Sequence, residues 1–286
     1  MLNNAFIKQL EDLLSQKIES SQSVSGGDIS EAFVIKTNTQ KFFLKKNRLE
    51  NQNMFKTEYR GLQAIAKTNT ITTPKVYGIG TFENSSFLLL EWIESKHPSN
   101  KDFKTLGTQL AQLHQITAAQ FGFENNNFIG SLNQSNNKHS NWTNFYVEER
   151  LLPQLNLAKS KGLLNSKEIP STLAIKETLQ PIFENIKPSL LHGDLWSGNY
   201  LISSKGIPYL IDPAVYYGHN EVDIAMTKLF GGFSNDFYEA YFDMTPPDHH
   251  TNQRVEIYQL YYLLVHLNLF GQSYYGSVKS ILQKYF

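Results

Sequence analysis

A short polar loop with the sequence HGDLWSGN, residues 192–199, directly follows the apolar pair Leu190-Leu191. Its two glycines disfavour a helix or strand interior, so the segment is predicted to be a tight loop at the end of a buried strand. The next segments, NYLIS and IPYLID, are typical of short strands joined by a turn at SKG. Strands joined by so short a turn must be antiparallel, which predicts that Asn199 lies beside Asp212.

This pairing predicts a magnesium site, because Mg²⁺ prefers oxygen ligands such as a carboxylate and an amide. Asp194 lies five residues before Asn199 on the same loop, where it can face the metal without binding it. An aspartate in a glycine-containing turn is usually only a turn residue. A base, then a metal-binding amide, then a metal-binding carboxylate is, however, the order found in the kinase catalytic loop. We therefore predict that Asp194 is a catalytic base and that Asn199 and Asp212 bind Mg²⁺.

The first third of the chain contains the other residues that a kinase needs, a lysine on a strand and an acid on the next helix. Lys45 ends the apolar strand in KFFLKKN, and Glu58 lies in the following helical segment. Lys41 and Lys46 are alternatives to Lys45, although Lys46 should point to the opposite face because side chains alternate along a strand. We predict that Lys45 binds the ATP phosphates and that Glu58 holds it.

Two further segments are predicted to bind the nucleotide. Gly26 and Gly27 lie between two predicted strands before Lys45, where a loop over the phosphates would lie, although SGGDIS does not match GxGxxG. The strand FLLLEWI ends at the expected hinge, where we predict that Glu91, Trp92 and Ile93 contact ATP. The backbone groups of Glu91 and Ile93 would bind the adenine edge.

The order of predicted elements up to residue 93 is helix, strand, strand, helix, strand, strand. The proline-containing segment ESKHPSN then interrupts the pattern, and the remaining chain is mostly helical. We predict an α+β fold with a small N-terminal lobe at residues 1–93 and a larger C-terminal lobe at residues 94–286. The first helix is predicted over residues 3–18. The asparagine-rich segment at residues 125–141 is predicted to be an exposed loop.

Composition excludes several classes of function. The 286 residues include no cysteine, which excludes thiol catalysis, disulfides and cysteine metal sites. The 26 basic residues equal the 26 acidic ones, which argues against nucleic acid as the main partner. No apolar run approaches the roughly 20 residues that span a bilayer. We expect a cytoplasmic protein without a membrane partner, and the sequence leaves the oligomeric state open.

LLHGDLWSGN, IDPAVYYGHNEVDIAM and FGGF together resemble the fructosamine kinase (ketosamine-3-kinase) family. HGD with a later ID is shared by a broad superfamily, whereas the WSG and YGH segments narrow the resemblance to this family. The resemblance implies a protein-kinase-like two-lobe fold, close to aminoglycoside and choline kinases. It implies transfer of the ATP γ-phosphate to the 3-hydroxyl of a ketosamine, free or on a protein amine, in deglycation. Gly193 replaces the arginine of the protein-kinase HRD motif, which argues against peptide phosphorylation.

The resemblance implies the same roles for the residues already discussed, namely Asp194, Asn199, Asp212, Lys45 and Glu58. It adds that Asp223 holds the backbone of the catalytic loop through hydrogen bonds. His192 would also be structural, because its ring can bond to nearby backbone groups.

Trp196 is the main candidate for contacting the acceptor, because it lies two residues after the predicted base. A protonated amine over an indole face gains about 0.5–2 kcal/mol. A packing role for this tryptophan is the alternative. His219, Trp142 and His266 are weaker candidates for the same pocket, and a buried core position is nearly as consistent with the apolar surroundings of His266. Two other functions stay open: a kinase for another amine-bearing alcohol, such as an aminoglycoside or choline-like compound, and a pseudokinase that binds nucleotide without catalysis.

Overall fold

The computed structural model describes residues 2–24 and 30–286. Its N-terminal part is built on a five-stranded antiparallel sheet with the strand order β1-β2-β3-β5-β4. The strands are β1 (Ile18–Val24), β2 (Glu31–Thr37), β3 (Lys41–Arg48), β4 (Val76–Phe82) and β5 (Ser85–Glu91).

Two helices cover the two faces of this sheet. Helix α1 (Asn4–Leu14) packs on the face that carries Phe42 and Leu44 of β3. Helix α2 (Gln52–Ala66) packs on the opposite face, which also carries Phe43. Because side chains alternate along β3, Lys45 lies on the α2 face.

The first helix is shorter than predicted, because it ends at Leu14 rather than at residue 18. Ser15 adopts a left-handed backbone conformation with φ of 53° and caps the helix, since its N–H bonds to the Glu11 carbonyl. Ile18 already begins β1, which is an edge strand with a mostly polar sequence.

The remaining chain is mostly helical, and its helices enclose one large hydrophobic core. Helix α9 (Thr251–Phe270) lies at the centre of this core, since it is apolar on nearly every side and largely buried. The other helices are α3 (Asn100–His114), α4 (Trp142–Phe145), α5 (Leu152–Ser160), α6 (Thr172–Leu179), α7 (Glu221–Leu229), α8 (Asn235–Met244) and α10 (Tyr275–Tyr285). A π-helical segment at Tyr146–Leu151 joins α4 to α5.

Short strands position the loops of this part. They are β6 (Ser95–Lys96), β7 (Asn127–Ile129), β8 (Leu132–Gln134), β9 (Ser189–Leu191), β10 (Tyr200–Ser203), β11 (Pro208–Leu210) and β12 (Tyr216–Gly218). Strand β10 pairs with both β11 and β6, while β9 pairs with β12 and β7 with β8. The structure therefore has the α+β fold class that the sequence predicts. The boundary between the two lobes at residue 93 stays a prediction.

The prediction of an exposed loop at residues 125–141 is wrong in part: several of these residues are exposed, but β7 and β8 form a hairpin in which the Asn127 and Gln134 side chains are buried. The Asn127 amide donates to the Val215 carbonyl at 2.9 Å, and the Gln134 amide donates to the Ala214 carbonyl at 3.3 Å. Composition misleads here because these polar side chains satisfy backbone carbonyls in the interior instead of water. None of the helices in the two described ranges is long and apolar enough to span a membrane.

Candidate active site

A cavity of about 1110 Å³ lies between the sheet and the helical part. Its walls include Lys45 on β3, Glu58 on α2, Asp194 on the loop after β9, and Asp212 after β11. Residues of α9 and of the segment that follows it also line the cavity. Segments that are distant in the sequence therefore meet at one cleft. Along the chain, the lysine, its acidic partner, the predicted base and the predicted metal ligand follow in the order that a kinase requires.

The loop after β9 turns sharply at Gly193, where φ is +84°. A side chain is excluded there, because a Cβ atom would lie 2.2 Å from the Ala214 carbonyl oxygen. His192 is fully buried beside it, and its Nε2 donates to the Ile211 carbonyl at 2.8 Å. Its Nδ1 accepts a hydrogen bond from the Asp194 N–H at 3.2 Å. Burial lowers the pKa of His192, so a neutral ring holds the loop, which is the structural role predicted for it.

Asp223 at the start of α7 anchors the same loop from behind. One carboxylate oxygen accepts the His192 N–H at 2.7 Å, and the other accepts the Gly193 N–H at 2.8 Å. These are backbone hydrogen bonds of the kind that the sequence analysis expects of Asp223. His114 on α3, which sequence reasoning missed, donates from Nε2 to the same carboxylate at 3.1 Å.

Asp194 lines the cleft, and the Asn199 amide donates to its carbonyl at 2.8 Å and to its carboxylate at 3.3 Å. Burial, together with the negative charges of Asp212 and Asp223, raises the pKa of Asp194 to about 7. Such a carboxyl group can exchange a proton near neutral pH, which suits a general base.

The predicted pairing of Asn199 with Asp212 is shifted by one residue. Tyr200 pairs with Leu210, and the Ile211 N–H donates to the Asn199 carbonyl at 3.0 Å. Asp212 therefore follows the end of the ladder, where its backbone has a φ of +53°. Positive φ is uncommon outside glycine, and strained positions of this kind cluster at active sites. The shift turns Asp212 toward β3.

Lys45 bridges two carboxylates across the cleft. Its ammonium group donates to Glu58 at 2.8 Å and also to Asp212. Although burial opposes the charge, the two carboxylates raise the pKa of Lys45 above its ordinary value. Burial raises the pKa of Glu58, whereas the Lys45 charge outweighs burial at Asp212 and lowers the pKa there. Lys41 and Lys46 instead pair with Glu94 and Glu31, respectively.

The donor set at the cleft fits a magnesium ion. The Nδ2 atom of Asn199 is used by Asp194, which leaves its Oδ1 atom as an oxygen donor, and Asp212 supplies a carboxylate. Within the described residues no cluster of three or more His, Asp or Glu side chains could hold a metal by itself. Mg²⁺ commonly binds through one or two protein groups plus substrate phosphates, so these two residues suffice.

The cleft is lined at the hinge by Glu91, Trp92 and Ile93. These are the residues that the sequence analysis expects to contact ATP. The Glu91 carboxylate accepts the Lys75 N–H at 3.1 Å, and the Trp92 indole donates to Glu94 at 3.0 Å. Gly26 and Gly27 lie outside the described residues.

The predicted acceptor residues divide into two groups. Trp196 and His266 line the cleft, and the Trp196 side chain is 42% exposed. Trp142 and His219 are instead packed in the core, where each bonds to the Tyr258 hydroxyl, at 2.9 and 2.8 Å. The prediction that these two line the acceptor pocket is wrong, because their polar atoms satisfy a buried tyrosine rather than a ligand.

The sequence analysis did not predict several of the residues that line the cleft. The turn of the β7–β8 hairpin contributes Phe128, Ile129, Gly130 and Ser131. The C-terminal segments contribute Phe230, Phe270 and Tyr274. The Tyr262 hydroxyl on α9 donates to the Gly193 carbonyl at 3.0 Å and so adds a further hydrogen bond that fixes the catalytic loop.

Comparison with known proteins identifies the family. The fructosamine kinase family model matches residues 2–286. The chain belongs to the fructosamine kinase family. It is 40% identical over 268 residues to a chloroplastic protein-ribulosamine 3-kinase of Arabidopsis thaliana, and the matched region covers 92% of this chain and 81% of that protein.

The structural comparisons agree with this family and its fold. A Haemophilus somnus protein assigned as a fructosamine-3-kinase superposes with a TM-score of 0.90 and 32% identity, covering 98% of this chain and 96% of that one. A thermostable mutant of aminoglycoside phosphotransferase APH(4)-Ia superposes with a TM-score of 0.64 at 15% identity over 97% of this chain and 98% of that one. The second likeness concerns the fold alone. The predicted protein-kinase-like fold and family are thus confirmed.

Proposed function

We propose that this fructosamine kinase family member transfers the γ-phosphate of ATP to the 3-hydroxyl of a ketosamine. One observation carries the proposal: Asp194 and Trp196 lie in the same cleft as the Lys45, Glu58 and Asp212 cluster. The names of the relatives support the acceptor class, since ribulosamines and fructosamines are both ketosamines. Because reducing sugars and amines form ketosamines spontaneously, deglycation in the cytoplasm is the expected role.

Lys45 is the group that would hold the ATP phosphates. Its ammonium group is already placed by Glu58 at 2.8 Å, so little conformational freedom is lost when the nucleotide binds. Asp212 and Asn199 would hold Mg²⁺, which supplies positive charge to the phosphate oxygens when bound. The hinge residues Glu91, Trp92 and Ile93 would contact the adenine.

Asp194 would orient the acceptor hydroxyl and accept its proton as the phosphate is transferred. The transfer has a loose transition state, so correct positioning contributes more than strong basicity. Asp223 and His192 contribute by fixing the backbone on both sides of Gly193. Trp196 would place its indole face against the ammonium group of the ketosamine.

An ATP-consumption assay with matched acceptors tests the proposal. The acceptors are a fructosamine, a ribulosamine, free fructose, the free amine, choline and an aminoglycoside. We expect the two ketosamines to be phosphorylated and the free sugar and free amine to be poor substrates. Efficient use of choline or the aminoglycoside alone would favour a different small-molecule kinase. ATP binding without turnover on any acceptor would indicate a pseudokinase.

A further inference from the structure

Four aromatic rings form a cluster among the residues that line the cleft. The His266 ring lies 4.7 Å from that of Phe230, 5.5 Å from that of Phe270 and 5.1 Å from that of Tyr274, measured between centroids. We call these four residues the aromatic shelf. All four line the same cavity as Asp194.

Two of the four rings of the aromatic shelf are exposed, and the other two are partly buried. Phe230 is 40% exposed and Phe270 is 55% exposed. Single exposed apolar residues are common, but a contiguous exposed apolar patch inside a cleft marks a ligand-binding surface. The exposed rings can therefore still be buried by an apolar group of a ligand, and this contact would stabilise the complex.

The charged side chains that line the cavity come from other segments than the aromatic shelf. They are Lys45, Glu58, Glu91, Asp194 and Asp212. Between residues 226 and 274 the described lining residues are Met226, Phe230, Tyr262, Val265, His266, Leu269, Phe270 and Tyr274. The Nδ1 atom of His266 bonds to the Tyr262 carbonyl at 2.8 Å, and burial lowers the pKa of this ring, which keeps it neutral. The shelf therefore offers no charge to a ligand near neutral pH.

The shelf begins directly beside the predicted base and indole. Gly232, two residues after Phe230, packs so closely on Ser197 that a Cβ atom would lie 2.4 Å from the Ser197 Cβ. Ser197 is the neighbour of Trp196 in the chain. At the other side, Tyr262 bonds to the Gly193 carbonyl, so α9 is also fixed to the loop. A substrate whose nitrogen contacts Trp196 thus has the shelf within reach of its nitrogen substituent.

We propose that the aromatic shelf binds the nitrogen substituent of the ketosamine, so that adducts of alkylamines that carry an aromatic ring are preferred over adducts of small or charged amines. This inference rests on the proposed function. The sugar would lie near Asp194, and the apolar substituent would cover Phe230 and Phe270. Burial of an aromatic ring against these side chains supplies the preference.

A matched pair of substrates tests the inference: fructose linked to phenethylamine and fructose linked to ethylamine. The two share the sugar and a secondary alkylamine and differ in the phenyl ring. We expect kcat/KM to be about tenfold higher for the phenethylamine adduct, a difference of about 1.4 kcal/mol. The adduct of glycine, which carries a carboxylate, should be used less well than the ethylamine adduct.

Two variants locate the preference on the shelf. Phe270→Ala and Phe230→Ala should each lower the ratio of the two kcat/KM values at least about threefold, because each removes part of the apolar contact. Leu173→Ala is the matched control, since Leu173 is an exposed apolar residue on α6, 67% exposed and outside the cavity lining. The control should keep the parent ratio.

Equal kcat/KM values for the two adducts in the parent protein would overturn the inference while leaving ketosamine phosphorylation intact. A preference that survives in both shelf variants would also overturn it. If the parent phosphorylates neither adduct, the proposed function fails, and the inference fails with it.

Discussion

The Asp223 carboxylate accepts the Gly193 N–H at 2.8 Å from behind the catalytic loop, so the loop is fixed on the side away from the cleft. The second oxygen accepts the His192 N–H and the His114 Nε2–H. All three partners are donors, and Asp223 is fully buried. A group that only accepts hydrogen bonds is therefore required at this position.

Asp223→Asn tests this requirement. The NH₂ group of the new amide would face a hydrogen-bond donor, so both would be buried without a partner. We expect a loss of about 1–3 kcal/mol in the free energy of unfolding. The loss should appear as a Tm lower by several degrees, with a lower kcat. Asp243→Asn, an exposed residue, is the control. A parent-like Tm and kcat would contradict the anchoring role.

Asp194→Asn is expected to lower turnover by roughly 10²–10⁴, the usual scale for a positioned base. A loss near the lower end is consistent with a loose transition state. The Tm should not fall, because the substitution removes a carboxylate that is repelled by Asp212 and Asp223. Steady-state kinetics and thermal unfolding measure these two quantities. Near-parent turnover in this variant would remove Asp194 from the role of base.

Asp212→Ala is expected to abolish Mg²⁺-dependent ATP binding or turnover, because it removes the only charged metal ligand proposed at the site. Asn199→Ala should weaken the Mg²⁺ dependence less, since an amide is a neutral ligand. ATP titrations with Mg²⁺ and with EDTA measure both effects. The metal assignment fails if Asp212→Ala retains the Mg²⁺ dependence of the parent.

Trp196→Ala is expected to raise KM for the ketosamine by about 2- to 30-fold, the equivalent of a cation–π contact, with a smaller effect on KM for ATP. Trp196→Phe should recover part of the loss, because a phenyl face also attracts a cation.

Gly198→Ala provides an independent route to the same result. A Cβ atom at Gly198 would lie 2.3 Å from the Trp196 ring, so the indole must move although it is still present. We expect a raised KM for the ketosamine in this variant too. Unchanged ketosamine KM values in both Trp196→Ala and Gly198→Ala would show that the indole only packs the loop.

Much of the site could be predicted because its residues follow local rules. Side-chain alternation along β3 separates Lys45 from Lys46, and the short hairpin brings Asp212 near the catalytic loop. Asn199 and Asp194 are five residues apart, so one tight loop suffices to join them.

The parts that were not predicted depend on tertiary packing. Trp142 and His219 have the right chemistry for an acceptor pocket, but both bond to Tyr258 on α9, a partner that local sequence does not reveal. Asn127 and Gln134 have a loop-like composition, yet they are buried because they bond to carbonyls that are 88 and 80 residues away, respectively. Phe230 and Phe270 carry no motif, and only the fold brings them to the cleft.

The position of the phosphate on the product tests the central claim most directly. The parent protein, ATP, Mg²⁺ and a fructosamine are incubated together, and the product is examined by phosphorus–proton correlation NMR. We predict one phosphorylated product with the phosphorus coupled to the proton on carbon 3 of the sugar, formed roughly 10²–10⁴ times more slowly with Asp194→Asn under the same conditions. Phosphate on another hydroxyl, or equal labelling of free fructose, would contradict the account.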